Sequence, residues 1–289
     1  MKPPTHDHSS AESLPLVTVG VALYNHERYI ETCLESLLRQ TYPNLQIIVI
    51  DDGSSDQSFE TARNYIGKHA KERDCTIMTR KNRGMCNTLN EIAGRATGAY
   101  ISFIGSDDYW MPDKISDQVA YLEAHPEITL VHSNSIKVDA VGRNLKNIDY
   151  SNRVNSGNVF AAIVQGTGGI NTPSHLYRTS IYGEIGYYDP SFTFEDTDFW
   201  LRLTRNHLVG FINKFHTCYR WHGSNLSHSR NALAFYHEQV IRIFKKNIDD
   251  QTLLKQGIRR ILRKSISKSL RLWRLKDAWT FFLRFARPG

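Results

Sequence analysis

The sequence predicts an α/β domain built on a mainly parallel sheet flanked by helices. Three observations predict it. Between residues 17 and 104, apolar runs of strand length alternate with helical periodicity four times. Three of those strands run directly into polar or acidic loops, which a parallel sheet would place on one edge. The composition is that of an ordinary globular chain: 289 residues, 40% hydrophobic and 11% aromatic, enough for one large domain or a domain with an appendage.

Val17 to Leu23 is a continuous apolar run rich in β-branched residues, the signature of a buried strand. Tyr24-Asn25-His26-Glu27 follows as a polar loop. Ile30, Leu34, Leu37 and Leu38 recur at helical spacing and predict a helix from Ile30 to Arg39. Pro43 and Asn44 mark a turn before a second strand, Leu45 to Ile50, which ends in Asp51-Asp52-Gly53-Ser54-Ser55-Asp56. A helix over residues 57–73 comes next, with Ser55 or Asp56 as its N-cap. Cys75 to Met78 is a short third strand, Asn82-Arg83-Gly84 a turn, and Thr88 to Ala96 a helix. Tyr100 to Ile104 is the fourth strand, and it breaks into Gly105-Ser106-Asp107-Asp108.

Past Trp110, Met111-Pro112-Asp113-Lys114 opens a helix that runs to Ala124. Ile128 to Asn134 and Ser135 to Val138 are two further strands, and Ser151 to Val164 a loop with a short helix. The glycine-rich stretch Gly166 to Pro173 matches neither the lysine-bearing phosphate loop nor the G-x-G-x-x-G fingerprint, and is read as irregular. A strand His175 to Arg178 and a helix Ser180 to Ile185 follow. Asp198, Phe199, Trp200 and Leu203 begin an amphipathic helix, with Glu195 and Asp196 at its positive end. Phe211 to Arg220 is a late strand, closed by Trp221 and His222.

Two adjacent carboxylates directly after a buried strand are costly in apolar surroundings. At the carboxyl edge of an open α/β sheet, Asp107 and Asp108 would instead meet a ligand, and hard oxygen donors there suit Mg2+ or Mn2+ with a phosphate completing the shell. Asp51 and Asp52 could join them across neighbouring strand ends. The alternative is a polar turn capping the next helix, as Glu195 and Asp196 could be plain helix-start chemistry and His222 a structural histidine.

Four cysteines, Cys33, Cys75, Cys86 and Cys218, lie far apart with no C-x-x-C pair, a pattern of a reducing cytosol and of neither a disulfide framework nor a zinc site. Residues 1–13 are polar, an expected disordered tail rather than a signal peptide. No stretch is apolar and long enough to span a membrane as a helix. Charge is uneven. From Gln251 to Gly289, eleven Lys and Arg face one acid, Asp277, a net of +10 within a chain total of +7. Leu254, Ile258, Ile261, Leu262, Ile266, Leu270 and Trp273 recur at helical spacing among these bases, and Trp279, Phe281, Phe282 and Phe285 follow. A basic amphipathic end with aromatics suits an anionic membrane surface; the alternative is a packed helix with a basic exposed face. No nucleic-acid recognition motif accompanies the charge, so no nucleic-acid partner is expected.

These stretches, in this order, resemble the inverting glycosyltransferases of family 2, of GT-A fold and bacterial surface-polysaccharide type. The resemblance covers Pro15 to Ser227 and rests on Val19 to Asn25, Ile48 to Asp56, Asn82-Arg83-Gly84, Gly98 to Ile101, Ser106-Asp107-Asp108, Met111-Pro112-Asp113, Glu195 to Arg202 and Tyr219 to His222. It implies a GT-A domain over residues 14–230 and a helical basic extension over 231–289. It implies a donor, a nucleotide diphosphate sugar such as a UDP-hexose or UDP-N-acetylhexosamine, and Mn2+ or Mg2+. Tyr24 would stack on the base and Asp52 would bond its edge, with Asn25, Glu27 and Asn82 completing the donor-binding set. Asp107 would approach the ribose or phosphates, Asp108 would hold the metal, and His222 would face the metal or diphosphate. Asp196 would be the general base for the acceptor hydroxyl, with Glu195 beside it. One departure stands out: where many members carry Asp-x-Asp-Asp, the first position here is Gly105. With the basic end, the resemblance further implies a lipid-linked glycan acceptor and a place on the cytoplasmic face of the plasma membrane. The alternatives are a transferase acting on a soluble or protein acceptor, and a non-catalytic nucleotide-sugar or membrane-binding module.

Overall fold

A computed structural model of the chain describes residues 14–70, 73–193, 195–223, 232–271 and 275–286. The expected tail, residues 1–13, and residues 224–227 after His222 lie outside the described residues. The first half alternates as expected: β1 (Val17–Leu23), α1 (Ile30–Leu38), β2 (Leu45–Asp51), α2 (Ser58–His69), β3 (Asp74–Thr79), α3 (Met85–Arg95) and β4 (Tyr100–Gly105). These four strands lie side by side in the order β3-β2-β1-β4, all parallel. The register pairs Leu23 with Asp51 and Ala22 with Gly105, so their loops open on one edge.

The second half turns the sheet mixed. It comprises β5 (Tyr109–Trp110), α4 (Lys114–Ala124), β6 (Ile128–Val138), β7 (Asn144–Ile148), α5 (Phe160–Gln165), β8 (Leu176–Arg178), α6 (Tyr182–Ile185), α7 (Glu195–Thr204) and β9 (Leu208–Arg220). Strand β8 joins β4 to β6 antiparallel on both sides, while β9 runs parallel to β6 and antiparallel to the two-residue β5. Residues 128–138, expected as two strands, form one, with register shifts against β9 near Ser133 and Asn134 that accommodate the extra length. Strand β7 was not expected. Its residues, Asn144 to Ile148, are mostly polar and mostly exposed, and pair only with the edge of β6.

Period-two alternation places the core on both faces. Val17, Val19, Val21, Ile47 and Val49 pack under α1 with Ile30, Leu34 and Leu37. Ile48, Ile50, Ile101 and Phe103 face the opposite way, against Leu89 and Ile92 of α3 and Phe199 and Leu203 of α7. Gly20 allows that second layer to close: a Cβ there would lie 2.6 Å from both Ile92 and Phe103.

The described part of the basic end forms three helices: α8 (Ala232–Asn247), α9 (Gln251–Arg271) and α10 (Leu275–Ala286). Val240, Ile243 and Phe244 of α8, with Leu254 and Ile261 of α9, share a core with Val164, Phe192 and Leu201 of the preceding part. Of the stripe on α9, Leu254, Ile261 and Leu262 are buried, Ile258 and Ile266 half-buried and Leu270 exposed, while Trp273 lies outside the described residues. On α10, Phe281 is buried while Trp279, Phe282 and Leu283 are exposed.

Candidate active site

Loops at the carboxyl edge converge because β1, β2 and β4 end in register. The loop after β1 and the loop after β2 are stitched together. Asn25, the one described non-glycine residue with positive φ, accepts the Ser55 amide on its side-chain oxygen at 2.8 Å and gives its own amide to Ser54 Oγ at 2.9 Å. Glu27 accepts the Gln57 amide at 2.9 Å, and Asp56 accepts the Glu27 amide. Asn25 and Glu27, expected among the donor-binding residues, thus hold loop to loop. Asp51 is likewise engaged with Ser54 and Thr79.

Asp52 is buried and anchors the turn after β3. Its two oxygens accept the Arg83 and Gly84 amides at 2.8 and 2.9 Å, and Arg80 pairs with it while also reaching Glu91. That turn and the exposed Tyr24 ring border a cavity of about 310 Å3 that Asp52, Asn82, Met85 and Phe192 also line. Three residues of the expected donor set, Tyr24, Asp52 and Asn82, therefore meet in one cleft.

A second cavity, about 460 Å3, shares Ala22 and Met85 with the first. Asp108 and Asp196 both line it, although 88 residues separate them in the chain. Tyr150, Thr172, His175 and Trp200 supply aromatic and polar walls. Asp196 sits in the first turn of α7; its Oδ2 accepts the Thr172 hydroxyl at 3.0 Å, and Thr172 in turn accepts the Trp200 indole N–H at 3.1 Å. Burial pushes the Asp196 carboxyl up, against the hydrogen bonds from Thr172 and Thr197 that lower it. Glu195 opens the same helix; its side chain lies outside the described residues.

The Gly105–Asp108 turn separates its two carboxylates. Asp108 Oδ1 accepts the Arg220 backbone N–H at 2.7 Å, and the Arg220 guanidinium donates to the Asp107 carbonyl at 2.7 Å. Burial, then the Asp107 charge, push the Asp108 carboxyl well above the usual carboxylate range, against the lowering effect of Arg220. Asp107 turns the other way and meets His222 Nε2 at 2.9 Å, with His26 Nε2 4.0 Å from the same oxygen. So the sequence-based metal pair, Asp108 with His222, is divided: His222 stands beside Asp107. A Cβ on Gly105 would lie 2.7 Å from Asp107 Oδ1, so an aspartate at that position would require this carboxylate to swing away.

Four participants escaped sequence reasoning: His26, Thr172, Arg220 and Tyr29, whose ring stacks on His222 at 4.9 Å. His26 carried a signal, being a histidine in a loop on the ligand-binding edge. Thr172 carried none, since it lies within the glycine-rich stretch read as irregular.

The profile of "Glycosyl transferase family 2" matches residues 18–186. EpsE of Bacillus subtilis (strain 168) is 29% identical over 253 residues, covering 86% of this chain and 83% of EpsE. The chain spans 29% to 72% of four other curated relatives it matches. Among solved structures, residues 1–349 of Staphylococcus aureus TarS, in complex with UDP-GlcNAc, superpose with a TM-score of 0.66 at 19% identity, covering 87% of this chain and 73% of that one. The Pyrobaculum calidifontis mannosyltransferase PcManGT, in complex with GDP-Man and Mn2+, gives 0.65 at 18% identity, covering 96% and 77%. Both share the fold of the mixed sheet and its flanking helices. With more than half its length matched by the family profile, the chain belongs to glycosyl transferase family 2 and is a glycosyltransferase of GT-A fold.

Proposed function

We propose that the chain transfers a hexose or N-acetylhexosamine from a nucleotide diphosphate sugar, a UDP-sugar, to a hydroxyl of a lipid-linked glycan, with inversion, in the assembly of a surface polysaccharide. The observation that carries this reading is the pair of adjoining cavities, one lined by Tyr24, Asp52 and Asn82 and the other by Asp108 and Asp196. The first is sized and lined for a base and ribose. The second leaves room for a sugar and an incoming hydroxyl on its aromatic walls.

Asp196 takes the proton from the acceptor hydroxyl. The acceptor oxygen bonds to the anomeric carbon from the face opposite the diphosphate, the old carbon–oxygen bond breaks, and its electron pair leaves on the diphosphate. Thr172 keeps one lone pair of Asp196 engaged and so fixes the direction of the other. The donor set suits a divalent ion: His26, Asp107 and His222 place ligand atoms within 4.8 Å of one another. When bound, such an ion neutralises charge developing on the diphosphate. Arg220 braces the turn, its amide on the Asp108 carboxylate and its guanidinium on the Asp107 backbone carbonyl.

The basic end supports a peripheral place on the cytoplasmic face of an anionic membrane. No helix of the described residues is long and apolar enough to cross one. Trp279 and Phe282 stack with ring centres 5.6 Å apart and face solvent on α10, and α9 carries Lys268 and Arg271 in its last turn.

Thermal shift against a panel of nucleotide sugars with Mn2+ tests the donor. A UDP-sugar should raise Tm more than its GDP or CDP counterpart, in proportion to occupancy. Equal shifts across the panel, or none, would overturn the donor assignment. Proton NMR of the product's anomeric signal then reads inversion or retention directly.

A further inference from the structure

We propose that His26 is a third protein ligand of the divalent cation, so that two imidazoles and one carboxylate hold it and select Mn2+ over Mg2+. The inference rests on the metal-dependent reading above and adds a ligand that neither the sequence motifs nor the resemblance assigns. His26 lies in the loop after β1, Asp107 in the turn after β4 and His222 beyond the end of β9. Three separate segments thus deliver one donor atom each to a space less than 4.8 Å across.

The separations suit a coordination shell. Metal–ligand bonds of about 2.1 Å in an octahedron put neighbouring donors about 3 Å apart and opposite donors about 4.2 Å apart. The Asp107 oxygen lies 2.9 Å from His222 Nε2 and 4.0 Å from His26 Nε2, within that range. The imidazole planes of His26 and His222 stand at 87°, with ring centres 5.6 Å apart, so the rings meet edge to face and do not stack.

His26 is also oriented as ligating histidines are. Its Nδ1 lies 2.8 Å from the hydroxyl of Ser106, which is buried; accepting the Nδ1 proton there leaves the Nε2 lone pair directed at Asp107. The His26 amide is held by Ser58 Oγ at 2.8 Å, which fixes the loop beneath the ring. Oxygen-only shells suit Mg2+, whereas imidazole nitrogen shifts preference toward first-row transition ions. Two nitrogens therefore make Mn2+ the better occupant, with open positions left for diphosphate oxygens.

Pulsed EPR of the full chain loaded with Mn2+ alone, then with Mn2+ and UDP, tests this without relying on turnover. Two coupled imidazole nitrogens are expected in the wild type and one in His26→Ala. Titration of free Mn2+ by its EPR signal should show a loss of at least about 10-fold in affinity for His26→Ala, a smaller loss for Ser106→Ala, and less than about 3-fold change for Mg2+ competition. A single nitrogen in the wild type, or unchanged Mn2+ affinity in His26→Ala, would overturn the assignment of His26 while leaving a His222–Asp107 site standing. A wild type that binds no Mn2+ even with UDP would overturn the metal reading itself. Because the nitrogen count is read on the wild type, a variant that fails to fold does not remove the test.

Discussion

Replacing Thr172 with valine removes one hydroxyl and almost no volume, and it isolates what that hydroxyl does for Asp196. The Thr172 hydroxyl donates to Asp196 Oδ2 at 3.0 Å and accepts from the Trp200 indole at 3.1 Å, with Trp200 only 4% exposed. A hydrogen bond to an ionised acceptor contributes about 1.5–3 kcal/mol, and an orphaned buried donor costs about 1–3 kcal/mol. The first loss falls on the base and the second on stability. If the first is felt in the transition state, kcat/KM falls about 10- to 100-fold. The hydrogen bond favours the charged carboxylate, so removing it raises the pKa of a group already pushed up by burial. The acid limb of the pH profile of kcat/KM therefore moves to higher pH, and the deficit is largest in acid. Affinity for the donor, measured by calorimetry, stays within about 2-fold, because Thr172 does not line the first cavity, where the base and ribose would bind. Thr172→Ser keeps the hydroxyl and should retain both the rate and the limb. A loss in Thr172→Val that is the same at every pH, or an equal loss in Thr172→Ser, would refute the argument.

Asp196→Asn should leave donor binding near wild type and remove at least about 1,000-fold of turnover, with radiolabelled transfer as the measurement. The same variant should be more stable near neutral pH. The folded pKa of Asp196 is raised, so the folded state holds this proton more tightly than the unfolded chain does; that support is full below the ordinary carboxylate range and is lost as pH climbs through the folded value. A rise of about 2 °C in Tm at pH 7.5, shrinking toward pH 4, is expected by differential scanning calorimetry. Asp52→Ala orphans the Arg83 and Gly84 amides and leaves Arg80 without one carboxylate, so a destabilisation of about 2–4 kcal/mol in urea melts should accompany weaker donor binding. Converting Trp279, Phe282 and Leu283 together to serine should lower co-sedimentation with anionic vesicles at least about 10-fold without changing Tm by more than about 2 °C, since all three face solvent. In contrast, Ile261→Ala in α9 should destabilise by about 2–4 kcal/mol, its side chain being buried against α8 and α5.

Much of the scaffold was legible because local chemistry and tertiary demand agree there. The strand of Val17 to Leu23 was read to the residue, since an apolar β-branched run has no other stable use. The loops after β1, β2 and β4 could be assigned to one edge because parallel strands impose it. Helix α3 starts at Met85, three residues before the expected Thr88, because Gly84 and the Asp52 carboxylate terminate the preceding turn from a distant part of the chain. Strand β7 escaped because only two of its five residues, Leu145 and Ile148, are apolar, without period-two alternation, and only the edge of β6 makes them a strand. The basic end presented one amphipathic pattern to a reader of sequence. Packing resolves it into α9, where Leu254, Ile261 and Leu262 are buried, and α10, where Phe281 is buried but Trp279 and Phe282 are not.

The site was legible as a set of residues and illegible as a set of partnerships, and the reason is geometric. Asp107 and Asp108 are adjacent and chemically identical, so nothing local distinguishes which one turns toward His222. The decision is made by Arg220, more than a hundred residues away: its amide engages Asp108 while its guanidinium caps the Asp107 carbonyl. Gly105 makes room for the resulting position of the Asp107 carboxylate. The Arg220 side chain lies across the rings of Tyr29 and Tyr109, and Tyr29 stacks on His222, so the same cation braces the loop after β1, the acidic turn and the end of β9. Replacing Arg220 with lysine would keep the charge and the backbone amide but lose the flat stacking surface and the directed Nε donor. Such a change should loosen the placement of Asp107, His26 and His222 together, whereas a side-chain change at Asp108 should leave those three in register.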